Sequence, residues 1–255
     1  MGLGSLSALV WPLLSQAFVI LVLLSNRPSP IVELGIGESL GLSLFYVTFV
    51  FLMALLMVYL IQVGKELALK IFTSVILVYS AFLSLNTMLS YYLEAHWSLE
   101  LVLSVIIAWL SFREGAVGNA AKSILAASMA YLFVTLFNDI FIYFLLAFLT
   151  VYDTYSVFKG PLSKLFSFSK DSLRALTIFQ GDVGIGLGDV FCYSMTSATS
   201  FRSIPYPFSF IPIVMLNLGI LITILILRRG RRALPGLTIP IPIWLVSQLL
   251  LSYAH

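Results

Sequence analysis

Cysteine, histidine and charge are the scarce components of this 255-residue chain, and each scarcity removes a class of function. A single cysteine, Cys192, excludes an intramolecular disulfide and a cysteine-built metal cluster, and implies plain packing for the thiol. The two histidines, His96 and His255, belong to outer-face ends of apolar segments, far from any paired acid, so neither metal chemistry nor a nucleophile triad is expected. Charged residues are 10% of the chain against about 25% in soluble domains, while 60% is hydrophobic. That balance excludes a soluble globular domain and leaves a polytopic membrane protein. No Gly/Ser linker, internal repeat or low-complexity segment divides the chain, so it reads as one membrane domain, 1–255. The first apolar run has neither a basic leader nor a small-residue cleavage site, and is expected to stay as a span.

What is abundant is apolar length. Runs able to cross about 30 Å of hydrocarbon fall near 6–25, 39–62, 69–92, 97–112, 119–137, 138–158, 182–201, 207–228 and 235–253. The expected fold is therefore all-α, with about nine transmembrane helices. The loops after even-numbered spans take Lys65, Lys70, Arg113, Lys122, Lys159, Lys164, Lys170, Arg174, Arg228, Arg229, Arg231 and Arg232, twelve of the fourteen basic residues. Only Arg27 and Arg202 fall on the other side. The positive-inside rule then puts the even loops and the N-terminus in the cytoplasm and the C-terminus outside. The pI near 9.0 follows from that topology, and charges spread over short loops face anionic lipid and make no nucleic-acid site.

Two acids stand inside apolar runs. Asp189 follows Gly184, Gly186 and Gly188, and Asp153 lies in Val151-Tyr152-Asp153-Thr154, shortly before Lys159 ends its run. An intramembrane carboxylate costs about 2.5 kcal/mol or more on insertion scales, so each is a functional-site candidate. The glycines remove side chains where another backbone, a helix or a bound peptide, could approach Asp189. Read as helix, both acids lie six or seven residues from their shared loop, about 10 Å deep at 1.5 Å per residue. Asp182 and Asp139 read as charges at span starts. The loop from Lys159 to Gly181, with Leu165-Phe166-Ser167-Phe168 between lysines, is expected to lie in the interface and gate the acids.

The order of motifs resembles the presenilin and signal peptide peptidase family of intramembrane aspartyl proteases, most closely the presenilin-like proteins of archaea. Tyr152-Asp153 resembles the family's Tyr-Asp motif of span six, Gly186-Leu187-Gly188-Asp189 its Gly-x-Gly-Asp of span seven, and Pro235-Gly236-Leu237 its Pro-Ala-Leu before span nine. The resemblance covers residues 138–245, with Lys159-Gly160-Pro161-Leu162 and Phe191-Cys192-Tyr193-Ser194 also similar. It implies scaffold spans in 1–137, catalytic spans in 138–255, catalytic Asp153 and Asp189, and supporting roles for Tyr152, Gly186, Leu187, Gly188, Pro235, Gly236 and Leu237, with Tyr152 a gate near the acid. It implies no cofactor and no metal, transmembrane-helix proteins as substrates and lipid as surroundings. It leaves a homo-oligomer open and points to no accessory subunit. The one departure, Gly236 for alanine, is expected to be reversible: Gly236→Ala should be tolerated.

Two close carboxylates share a proton, so one can activate water while the other donates to the scissile carbonyl oxygen. A transmembrane substrate must unwind to expose its peptide bond. The run Leu234 to Pro240 cannot begin as regular helix, and an extended segment there could pair with substrate as an added strand. The competing readings are a proton-coupled transporter, which would show repeated halves, and a prepilin-type peptidase, which lacks a proline motif after its acid. Cysteine labelling in intact cells tests the topology: a cysteine at position 98 should react with an impermeant reagent from outside and one at position 172 should not. The reverse pattern inverts the orientation and the expected substrate topology.

Overall fold

Apolar length and short turns give helices, and the computed structural model, which describes residues 7–25, 27–92, 97–159, 174–180, 183–228 and 234–254, has nine of them among those residues. They are α1 (Val10–Ser25), α2 (Ile36–Gln62), α3 (Glu66–Tyr92), α4 (Trp97–Ser111), α5 (Gly115–Leu136), α6 (Asp139–Phe158), α7 (Leu187–Ser203), α8 (Phe210–Arg228) and α9 (Pro240–Ala254). A hairpin of β1 (Thr177–Gln180) and β2 (Val183–Gly186) precedes α7. Five helices, α2, α3, α5, α6 and α8, are long and apolar enough to cross a membrane, and α1, α4 and α9 are shorter apolar helices. The chain is a multi-pass, all-α membrane protein.

Among the run boundaries that differ from the sequence expectation, three have a clear backbone reason. The fifth helix starts at Gly115, whose φ of 77° suits only glycine. The run that opens at 182 is strand until Gly186, and the run that opens at 235 is irregular until Pro240. Extended residues advance about 3.3 Å each against 1.5 Å in helix, so the depth assigned to Asp189 by counting helical residues is corrected: part of its run is strand. Lys122, counted with the basic loops, is instead inside α5 and 1% exposed. Asp182 and the segment 160–173 lie outside the described residues.

α7 occupies the middle of the bundle, against α1, α5, α6, α8 and α9. Val190, Tyr193, Met195, Ala198 and Phe201 are buried along it, as are Ser194, Thr196, Ser197, Thr199 and Ser200. Such a helix is too polar to face lipid, and its hydroxyls bond to neighbours instead, as small polar residues do between membrane helices. Ser194 Oγ lies 2.6 Å from Ser15 Oγ of α1, Ser197 donates to Gln16 at 3.0 Å, and Ser200 donates to Gln248 at 2.8 Å while accepting from Trp244 Nε1 at 2.7 Å. Gly219 allows α8 to meet the start of α9, because a Cβ there would lie 2.6 Å from Pro240 Cα.

The α5–α6 break is secured by polar groups. Asn138 caps α6, accepting from the Phe141 N–H at 3.3 Å and donating to the Leu34 carbonyl at 2.8 Å. The Ile31 and Val32 N–H groups bond the free carbonyls of Thr135 and Leu136 at the end of α5. Arg202, on the last turn of α7, donates to the Val134 and Phe137 carbonyls and pairs with Asp139, the first residue of α6. One guanidinium thus ties three helices together. Arg202→Met should lower stability by about 1–3 kcal/mol, the penalty for leaving polar partners unmet, measured as loss of thermal midpoint in detergent; an unchanged midpoint would refute the clamp.

Candidate active site

Asp189 is the third residue of α7, and Gly186 is that helix's N-cap. A carboxylate at that spacing can turn back to the cap's own N–H, half of a capping box, and the Gly186 backbone does hydrogen-bond Asp189. A Cβ on Gly186 would lie 3.1 Å from Asp189 Oδ2. The glycines therefore do not play the single part expected of them. Gly186 makes room for Asp189 itself, Gly184 makes room for the cross-strand side chains of Phe179 and Thr177, each 3.1 Å from where its Cβ would stand, and Gly188 faces open space.

Asp153, 9% exposed, is in the last two turns of α6 and accepts the Leu237 N–H at 2.9 Å. Gly236, next in the same segment, abuts the Asp189 carboxylate so closely that a Cβ would collide with it. The two acids thus border one short stretch. Leu237 is buried in the main core, Leu187 in a second cluster beside the hairpin, and Pro235 is buried ahead of them. Two further residues hold the stretch. The Tyr193 hydroxyl donates to the Gly236 carbonyl at 2.7 Å, and Thr154 shares a 2.8 Å hydrogen bond with Thr238.

Sequence reading missed Tyr193, Thr154 and Thr238, although a signal existed for the first. Tyr193 is four residues after Asp189 and so on the same helical face. Tyr152, adjacent to Asp153, has its ring edge-on to Phe51 of α2, with centroids 6.1 Å apart. The structure places it in the α2–α6 contact. Asp139 is drawn to Arg202 and takes no part in the site. Among the described residues no three His, Cys, Asp or Glu side chains cluster as metal ligands.

A cavity of about 50 Å³ opens beside Asp189, lined also by Val183, Gly184, Tyr193, Thr223 and Gly236. A water needs about 10–15 Å³ of such volume, so the space suits water and must widen for a peptide. The hairpin forms one wall. Its β1 carbonyls at Thr177 and Phe179 accept from Lys122 and Asn119 of α5. In an antiparallel pair, alternate residues bond the partner strand, so Ile178 and Gln180 face Ile185 and Val183, and the outward backbone groups of β2 are those of Gly184, the Gly186 backbone being bonded to Asp189.

No protein-family model and no curated protein matches the chain. Fourteen chains of solved structures do. One is a presenilin family intramembrane aspartate protease in a C222 crystal form, 13% identical, with a TM-score of 0.66 over 99% of this chain and 98% of that chain. Another, of a presenilin family intramembrane aspartate protease in a P2 form, is 16% identical with a TM-score of 0.51 over 99% and 97%. The chain therefore has the fold of these proteins along nearly its whole length.

The Gly236 geometry corrects the expectation that alanine would be tolerated there. A methyl group at 236 must displace the Asp189 carboxylate and disturb a site whose fold is otherwise intact. Gly236→Ala should lower turnover about tenfold and Tyr193→Phe, by losing one hydrogen bond, several-fold, each ~1 kcal/mol or slightly more, with thermal midpoints little changed. Wild-type turnover in purified Gly236→Ala would overturn this account.

Proposed function

We propose that the protein, which shares the presenilin-family fold, is an intramembrane-cleaving aspartic endopeptidase that hydrolyses peptide bonds within transmembrane helices of single-span proteins or their remnants. The observation that carries the reading is the Gly236–Leu237 stretch with Asp153 on one side and Asp189 on the other. Two interacting carboxylates hold one proton between them. The ionised member takes a proton from water and the protonated member donates to the scissile carbonyl oxygen; the resulting gem-diol then returns a hydroxyl proton to the second acid while the first passes its proton to the nitrogen, and the C–N bond breaks to give acid and amine. The cavity beside Asp189 supplies room for the water.

A substrate helix keeps its peptide bonds in internal hydrogen bonds, so cleavage requires local unwinding with new partners for the freed groups. Two segments border the cavity: β2, exposed at Gly184, and the irregular stretch that carries Leu234 and Gly236. A peptide joining β2 at Gly184 would be held by backbone bonds, with little demand on its sequence. Tyr152, Gly186, Leu187, Gly188, Pro235, Gly236 and Leu237 then shape the site around the acids. The cytoplasmic N-terminus and external C-terminus belong to the same proposal, as do scaffold helices in 1–137 and catalytic ones in 138–255.

Asp153→Asn and Asp189→Asn, purified and given a single-span model peptide, should each cut hydrolysis to below a few per cent while keeping the wild-type thermal midpoint. Because activity needs one proton on two acids, the wild-type rate should be bell-shaped in pH: it falls at low pH when both acids are protonated, and at high pH when both are ionised. A maximum on the acidic to neutral side is expected. Residual cleavage by either variant, or a rate still rising at alkaline pH, would refute the proposal; proton-coupled uptake abolished by the same changes would favour a transporter.

A further inference from the structure

We propose that Lys122 and Asn119 of α5 are positioning residues for substrate docking: they seal the β1 edge of the hairpin and hold β2 as the open edge beside Asp189. The proposal rests on the protease reading. Lys122 is 1% and Asn119 4% exposed, an unusual depth for an amine and an amide that contribute nothing to apolar packing. Being three residues apart, they share one face of α5. Lys122 Nζ donates to the Thr177 carbonyl at 2.7 Å and Asn119 Nδ2 to the Phe179 carbonyl at 2.8 Å. Carbonyls two residues apart on a strand recur about every 6.6 Å, close to the spacing of side chains three apart on a helix. α5 thus presents two donors in register with the two outward acceptors of β1.

A two-stranded hairpin has little stability alone, so its orientation has to come from its surroundings. α5 supplies it, helped by Trp11 of α1, whose indole donates to the Gln180 side chain at 2.9 Å. With β1 closed, an added strand has one side to join. That side is β2, where Gly184 is exposed and borders the cavity together with Asp189 and Gly236. The effect of Lys122 and Asn119 on catalysis runs through the hairpin: freed from α5, β2 would have to be ordered by each arriving substrate, whereas Asp189 stays on α7, which Ser194, Ser197, Ser200 and Arg202 tie to α1, α9 and the α5–α6 junction. Loss of the clamp should therefore weaken binding more than chemistry.

The test uses the purified full-length protein and the single-span model peptide. Lys122→Met should raise KM about tenfold with kcat within about threefold, the pattern of lost uniform binding. Asn119→Leu, which removes no charge, should raise KM in the same direction, and Lys122→Arg, which keeps donors at that position, should bring KM back towards the wild-type value. Thermal midpoints and binding of water-soluble reagents to Cys192 serve as controls on folding. Unchanged KM in Lys122→Met and Asn119→Leu overturns the proposal. So does a fall in kcat alone, or a loss that merely tracks folded protein and is not rescued by arginine. The failures are separable: cleavage that survives Asp153→Asn or Asp189→Asn removes the protease reading itself, whereas cleavage that needs both acids but ignores Lys122 and Asn119 removes only the clamp.

Discussion

The hydrogen bond from the Leu237 N–H to Asp153, together with the side-chain-free surface of Gly236 against Asp189, is the contact on which the rest of the arrangement depends. Two acids on separate helices have no reason to approach, since charge repulsion and the loss of hydration both oppose it. A stretch of backbone between them changes the balance, because its N–H groups are donors that the stretch, lacking helical structure, cannot satisfy internally. Tyr193 and Thr154 complete that exchange by bonding the Gly236 carbonyl and the Thr238 hydroxyl. Irregular backbone, which would be untenable facing lipid, becomes tenable because α6 and α7 supply its partners.

The same constraint explains why α7 is the most polar helix and also the most central. Its serines reach α1 and α9 through side-chain bonds, and Arg202 fastens its far end to the α5–α6 junction. A helix so tied has little freedom to slide. Rigidity along α7 is what a carboxylate at its third residue needs if its position relative to α6 is to be reproducible. The hairpin ahead of it is different, being a short pair of strands held from outside by α1 and α5. The molecule thus combines a fixed acid-bearing helix with an adjacent strand edge.

Apolar run lengths and the scarcity of charge were enough to establish a multi-pass helical protein with about nine helices, since hydrocarbon thickness and backbone satisfaction leave a chain of this composition few alternatives. Asp153, Asp189 and the Pro235–Leu237 stretch were legible for a related reason: a carboxylate in a membrane span, and a proline pair that prevents a helix from starting, are local anomalies visible in one dimension. Local pattern could not reveal which glycine accommodates which neighbour, that Tyr152 turns to Phe51, or that Lys122 is buried in α5 instead of solvated in a loop. Those outcomes depend on which face of one helix meets another, and on which acceptors are left unpaired by strands far away in sequence: Thr177 is 55 residues from Lys122, and Leu237 is 84 from Asp153. Sequence alone determined the solvent the chain lives in and which groups are candidates for chemistry. Tertiary packing decided their partners, because a buried donor or acceptor is matched by whatever the fold brings within hydrogen-bonding distance.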